Sequence, residues 1–354
     1  MLNSADCHLQ EPTNLWVDRF PANMRERAPR FEEATTYRAW IVDGKPVTHE
    51  PLIGTDLTGD VTARLQQMNA DGIWAEAIFG SLGLYCLRLR DADFALECCR
   101  AYNDYIAETF REHRDREVPI ALIPVVDTDA AAAEIERVAE LGLRGIALPM
   151  VPPVPYSDRR YDRIWAVAQE ARLPVNVHFD DAGVDIAKQL GLDHDPDDPR
   201  SRRVMATSLP NLLTLVPQHF VATLVGAGIL AAYPDLTLVC VETNAGWLAP
   251  LMESMDFAWT VDGRVAWPRP LRPSDYVRRQ IKATFQDEPA PLKFLHITGH
   301  EPLMWGSDFP HPEGTWPRSR EITDMLFSDV PPHAREAILG GNMAQLYGLT
   351  VPAT

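Results

Sequence analysis

Short apolar runs of strand length alternate along this chain with longer stretches whose apolar residues recur every three to four positions. The runs at 5–9, 73–79, 119–123, 145–148, 174–178, 236–241, 282–285 and 303–306 predict strands. Between them, residues 91–113, 129–141, 161–171, 220–233 and 246–257 predict helices. In the second of these, Ala131, Ile135, Val138 and Leu141 fall near the 3.6-residue repeat of a helix with one buried face. A strand followed by helix or loop, repeated eight times, predicts an α/β fold of the (β/α)8 TIM-barrel type as a single domain over 1–354.

Two regions break the alternation. Residues 13–62 follow the first strand and 180–217 follow the fifth, and both predict long insertions acting as lids or specificity loops over one barrel mouth. The chain shows no internal repeat, and its only low-complexity stretch is the alanine run at 130–133.

Composition narrows the picture. At 354 residues the length alone allows two domains, but with 46% hydrophobic content one decorated barrel accounts for it equally well. A formal charge of −17 excludes a nucleic-acid partner, because phosphate backbones need a basic surface. No apolar stretch is long enough to span a bilayer and no basic-then-apolar leader opens the chain, so a soluble, cytoplasmic protein without a membrane partner is expected. Five cysteines, two of them adjacent at Cys98 and Cys99, form no disulfide framework. An anionic ligand would need a local basic patch, and Arg200, Arg202 and Arg203 supply one just after an acidic run at 193–198. The same two runs could equally neutralise each other in a solvated loop.

The candidate chemistry sits at strand ends. Asp6 and His8 are two apart, so on a strand both point to one face, here the barrel interior. Glu11 stands where that strand gives way to loop, as an oxygen ligand or as the anchor of its own loop. His178, Glu242 and Asp308 each end an apolar run, and buried carboxylates are costly unless paired or metal-bound. Three residues after Asp308 comes His311, placed to orient it. His219 is a further candidate beside the second insertion.

The opening Asp6-Cys7-His8-Leu9-Gln10-Glu11-Pro12, the His178 strand end, the run Tyr233-Pro234-Asp235-Leu236 before Glu242, and Gly306-Ser307-Asp308-Phe309-Pro310-His311 together resemble the amidohydrolase-related branch of the amidohydrolase superfamily. That branch contains aminocarboxymuconate-semialdehyde decarboxylase and its relatives. The C-terminal Asn342-Met343-Ala344-Gln345-Leu346-Tyr347-Gly348-Leu349 is similar to the family's ending. The resemblance implies a metal at or beside Asp6, His8, His178 and Asp308. It also has departures: Asp6 replaces the first histidine of the family's H-x-H, and Glu242-Thr243-Asn244 replaces the histidine-glycine turn on which the decarboxylases rely for acid–base work. No lysine stands at 145–148 to bridge two metals.

The resulting set, Asp6, Glu11, Glu242 and Asp308 with His8 and His178, is similar to a rarer member type, a non-heme diiron monooxygenase on this fold. That likeness implies two irons per chain and O2-dependent hydroxylation of a bulky, apolar, diterpenoid-type coenzyme A thioester. Asp308, Glu242 and His219 would be catalytic. Arg200, Arg202 and Arg203 would grip the phosphates, with Asn244 and Trp247 beside the small-molecule substrate. The alternative is a single zinc or manganese serving a hydrolase or a non-oxidative decarboxylase of a small carboxylic acid, with Asp308 or Glu242 moving the proton. A metal-free scaffold barrel would leave several buried acids and histidines unpaired. Assembly into a homo-oligomer is expected in either enzyme reading.

Overall fold

The computed structural model describes residues 1–33, 37–51, 60–179, 198–263 and 270–350. In chain order its strands are β1 (Leu2–Leu9), β2 (Arg30–Glu33), β3 (Tyr37–Val42), β4 (Lys45–Pro51), β5 (Ile73–Gly80), β6 (Glu117–Pro119), β7 (Ala121–Leu122), β8 (Ile146–Pro149), β9 (Val175–His178), β10 (Leu238–Val241), β11 (Ile281–Phe285) and β12 (Leu303–Trp305). Most barrel strands are buried along their whole length, as near-continuous apolar runs require when both faces are covered.

The barrel is parallel throughout. One ladder runs β1-β5-β6 and the other β7-β8-β9-β10-β11-β12. β6 and β7 are halves of one interrupted strand. Across the break the Ile120 amide donates to the Ile78 carbonyl at 2.9 Å while the Ala121 amide donates to the Gly145 carbonyl at 3.0 Å, so the strand changes partner without leaving the wall. Closure comes where the chain leaves β12: the Asp308 amide donates to the Asp6 carbonyl at 2.9 Å and the His8 amide to the Phe309 carbonyl at 2.6 Å. Gly306 makes this approach possible, since a Cβ there would stand 2.6 Å from the Asp6 Cβ.

At the opposite end the C-terminal helix Asn342–Tyr347 plugs the barrel. The Tyr347 phenol donates to Asn176 Oδ1 at 2.8 Å, and Asn176 lies two residues before His178 on the same side of β9. The other end, at the C-terminal ends of the strands, is where this fold keeps its active sites.

The insertions are more structured than the sequence suggests. After β1 come a short helix (Leu15–Arg19) and the antiparallel sheet β2-β3-β4, in place of a mixed loop. Trp16 fastens this unit to the barrel, its indole donating to the Cys98 carbonyl at 3.0 Å. Of the second insertion, 180–197 lie outside the described residues, but 199–217 are not a loop. They begin one long helix, Pro199–Ala227, which takes in the start of the stretch expected to be helical from 220. Asp198 caps it, accepting from the amides of Arg200 and Ser201 at 3.0 Å each, and Pro199 fits the first turn because it has no amide to satisfy. Gly228, at φ 77°, ends it. Among the described residues no helix is long and apolar enough to cross a membrane.

Candidate metal centre

β1, β9 and the exit from β12 bring their polar side chains to one point in the barrel mouth. Asp6, His8, His178 and Asp308 are each at most 3% exposed. His178 Nε2 stands 3.4 Å from Asp6 Oδ1, and His8 Nε2 lies 3.8 Å from the same oxygen and 3.5 Å from Asp308 Oδ1. Asp6 Oδ1, His8 Nε2 and His178 Nε2 make no hydrogen bond, although each is buried. Buried donor atoms are normally satisfied. Three unsatisfied ones converging from two separate strands fit a cation held between them, and Asp6, His8 and His178 form a group of metal-ligand geometry.

Asp308 is anchored from both sides. Its Oδ2 accepts from Gln286 Nε2 at 3.1 Å, and its Oδ1 lies 2.9 Å from His311 Nδ1. Burial, with the nearby Asp6 carboxylate, raises its pKa to about 6 despite the His311 hydrogen bond. His8 is driven the other way, well below the usual histidine range, by burial and by the neighbouring His311 and His178 rings. For His178 burial favours the neutral form, but the Asp6 carboxylate outweighs it and the pKa rises. His311 stacks on His8 at 4.1 Å between ring centroids, 31° from parallel, with its outer edge half-buried at the mouth. The position expected for it from the sequence, beside Asp308, is the one it occupies.

Backbone strain is concentrated here. Of the five non-glycine residues with positive φ among those described, three are Glu242 (54°), Asn244 (56°) and Asp308 (57°). Left-handed backbone costs an ordinary residue roughly 1–2 kcal/mol, and such conformations cluster at functional sites. The Glu242–Asn244 turn is held by Thr284, whose hydroxyl accepts from the Glu242 amide at 2.9 Å, and by the Trp247 indole, which donates to the Asn244 carbonyl at 2.9 Å. Trp247 is buried and its one polar atom is spent on this turn, so it braces the site from below. The Glu242 carboxylate stands 3.6 Å from His178 Nδ1, on the side away from Asp6. A further group, Glu242, Asp308 and Glu313, shares Asp308 with the His8, Asp308 and His311 group but reaches out to an exposed acid.

The other sequence candidates lie elsewhere. Glu11 is fully buried, and its two oxygens accept from the amides of Gly83 at 2.7 Å and Leu82 at 3.2 Å, pinning the segment that follows β5. His219 is exposed on the long helix, in a cavity with Met150 and Phe220, and belongs to none of the ligand groups among the described residues. Arg200, Arg202 and Arg203 are exposed on the first two turns of that helix and not on a loop. Arg64 was not singled out in the sequence. It is buried, and its Nη1 donates to the His8 carbonyl at 2.6 Å from outside the barrel wall. A lone arginine in a helical repeat carries no mark that would have revealed this.

Comparison with known proteins corrects the chemistry. The family model for amidohydrolases matches residues 87–349. An amidohydrolase from Mycobacterium avium subsp. paratuberculosis K-10 superposes with a TM-score of 0.82 at 17% identity, covering 98% of this chain and 99% of that one. The 2,6-dihydroxybenzoate decarboxylase from Rhizobium gives 0.69 at 18% identity, over 98% of both chains. A dihydroxybenzoic acid decarboxylase from Polaromonas sp. JS666, with bound manganese and the inhibitor 2-nitroresorcinol, gives 0.65 at 18%, covering 99% of this chain and 98% of that one. The expectation of an O2-dependent diiron oxygenase is overturned: the likenesses run to decarboxylases and amidohydrolases, with manganese where a metal is named. The diterpenoid-type coenzyme A thioester and the second iron go with it. The physical reason is that counting carboxylates cannot tell a bridging ligand from one already satisfied, as Glu11 is by backbone amides. The barrel, the order of its strand-end motifs and the matched family model agree, and the chain belongs to the amidohydrolase family.

Proposed function

We propose that the protein is a non-oxidative decarboxylase of a small aromatic carboxylic acid, dependent on one divalent manganese or zinc. The observation that carries this reading is the set of unsatisfied donor atoms on Asp6, His8 and His178, with Asp308 alongside. These four side chains would hold the ion, and two carboxylates balance its charge while two imidazoles remain neutral ligands. A divalent ion bound there supplies Lewis-acid attraction for a substrate carboxylate. The named substrates of the Rhizobium and Polaromonas enzymes support an aromatic acid, and the latter's manganese supports the metal.

Decarboxylation of an aryl acid is redox-neutral. The bond between ring and carboxylate breaks, CO2 leaves, and one proton goes to the ring carbon. Asp308 and His311, 2.9 Å apart, are the pair suited to carry that proton, with Gln286 fixing the other Asp308 oxygen. This answers the missing histidine-glycine turn: the imidazole comes from the loop after β12 instead. The Phe179 carbonyl, 2.6 Å from His178 Nδ1, orients that ring, and the Glu242 carboxylate stands 3.6 Å from the same nitrogen.

The test is manganese-loaded protein given 2,6-dihydroxybenzoate under strict anaerobiosis. Resorcinol and CO2 should form one for one, stop on chelation and resume on adding manganese. His311→Asn should lower turnover by about 100-fold with the metal retained. A strict need for O2, or no CO2 from a panel of hydroxybenzoates at full metal occupancy, overturns the reading.

A further inference from the structure

The barrel rim carries an apolar cavity of about 320 Å³ that no step above uses. One wall is a face of the helix Pro199–Ala227, where Val216, Phe220 and Thr223 recur at three- to four-residue spacing with His219 beside them. The other wall is the segment leaving β8, from Met150 to Tyr156. The Tyr156 phenol donates to the Pro149 carbonyl at 2.7 Å, and its ring meets Phe220 edge-on at 5.7 Å. Its hydroxyl is thus spent inside the segment, which leaves the ring to serve as apolar wall. Pro149 is the register partner of His178, so this wall begins one residue beyond the level of the His178 imidazole.

We propose that this cavity is the specificity pocket of the enzyme, holding an apolar extension of a substrate whose carboxylate sits at the metal centre. The inference rests on the decarboxylase reading for the carboxylate and adds a substrate class: an aryl acid carrying an apolar group remote from its carboxylate. Three observations carry it. The first is proximity in the ladder: the cavity wall starts at Met150, the residue after Pro149, whose partner across the strands is His178. The second is lining: apart from His219 and Thr223, the side chains around the cavity are apolar or have their polar atom occupied. The third is exposure. Val151 and Leu215 stand 38% and 54% exposed in these walls, apolar surface that a ligand would cover. His219 then faces the substrate's far end and not the metal.

The experiment compares benzoate with 4-propylbenzoate binding to manganese-loaded protein by calorimetry. Each buried methylene is worth about fourfold in affinity, so the propyl acid should bind about tenfold tighter or more. Val216→Trp fills the cavity from the partly exposed helix face and should bring the two acids to equal affinity. Leu215→Trp, at a more exposed position of the same wall, is the second variant should the first fold poorly. A propyl advantage that survives both substitutions, or none in the natural protein, overturns the pocket. Should neither acid bind, the carboxylate-at-metal reading fails instead, and propylbenzene reads the cavity alone: binding that the tryptophan variants abolish upholds it, and no binding to the natural protein overturns it.

Discussion

Two clusters of buried charge meet at His8 from opposite sides of β1, and they are neutralised in opposite ways. On the interior side, Asp6 and Asp308 face His8 and His178 with no cationic side chain among them that is permanently charged. On the exterior side, beneath the helix Val61–Asp71, Arg64 pairs with Glu76 while Glu117 stands next to both, all three at most 2% exposed. Burial and the neighbouring Glu76 carboxylate push the Glu117 carboxyl well above its usual range. The exterior cluster has a permanent cation of the chain itself in Arg64, whereas the interior one sets two carboxylates against imidazoles in the geometry of a metal site. A burial penalty met by a side chain gives a structural site, and one left for an external ion gives a metal centre.

The largest expected effect breaks the interior side of this contrast. Either His178→Ala or Asp308→Ala should reduce bound metal, measured by elemental analysis, and take activity to background. Both variants should keep the far-ultraviolet circular dichroism of the natural protein, because the strand ladders do not depend on these side chains. Full metal content in both would remove the distinction between the clusters.

Arg64→Met attacks the exterior side. It strands the buried Glu76 carboxylate, and breaking such a pair costs about 3–5 kcal/mol, to be read as a lower midpoint in urea. Metal should raise the midpoints of this variant and of the natural protein alike, since the ligands remain. Arg64 also holds the His8 carbonyl and lies 5.4 Å from the Phe309 ring, so looser metal binding by the variant would show that the exterior cluster sets the position of His8.

The smallest effect is that of Glu117→Gln. Between the ordinary carboxyl pKa and the raised one of Glu117, the folded chain holds a proton that the unfolded chain has released, so this group makes stability fall as pH rises through that window. Glutamine cannot titrate, so the variant should lose that part of the slope in denaturation midpoints measured across the window. Stability at the acid end of the window should change by less than about 1 kcal/mol, because a neutral group replaces a neutral group. An unchanged slope would mean that Glu117 is ionised in the fold.

The two clusters also differ in how far they could be read from the sequence. Asp6, His8, His178 and Asp308 each end or interrupt an apolar run, so a polar side chain at a buried position announced itself. His311 was legible from its spacing to Asp308. Glu76 interrupts an equally apolar strand, but its partners come from a helix and from the start of β6, and neither Arg64 nor Glu117 stands out in its local pattern. The Asp198-Pro199 pair at the start of the long helix is a standard helix opening, yet the dense charge around it reads as loop.

Strand periodicity alone set which side chains face inward, and repetition of strand and helix set the barrel, because both depend on local geometry and on burying apolar faces. Closure of that barrel was decided only in three dimensions. Asp308 can approach Asp6 because Gly306 has no side chain, and β6 and β7 can serve two neighbours because Ile120 turns between them. The satisfaction of individual buried groups was likewise a tertiary matter. Glu11 and Asp6 look alike in the chain as acids near the end of one strand, yet amides from Leu82 and Gly83 fold onto Glu11, while Asp6 Oδ1 stands 3.4 and 3.8 Å from two imidazole nitrogens that also lack hydrogen bonds. Whether a buried carboxylate anchors a loop or awaits a metal depends on which groups from distant segments reach it, and no local pattern records that.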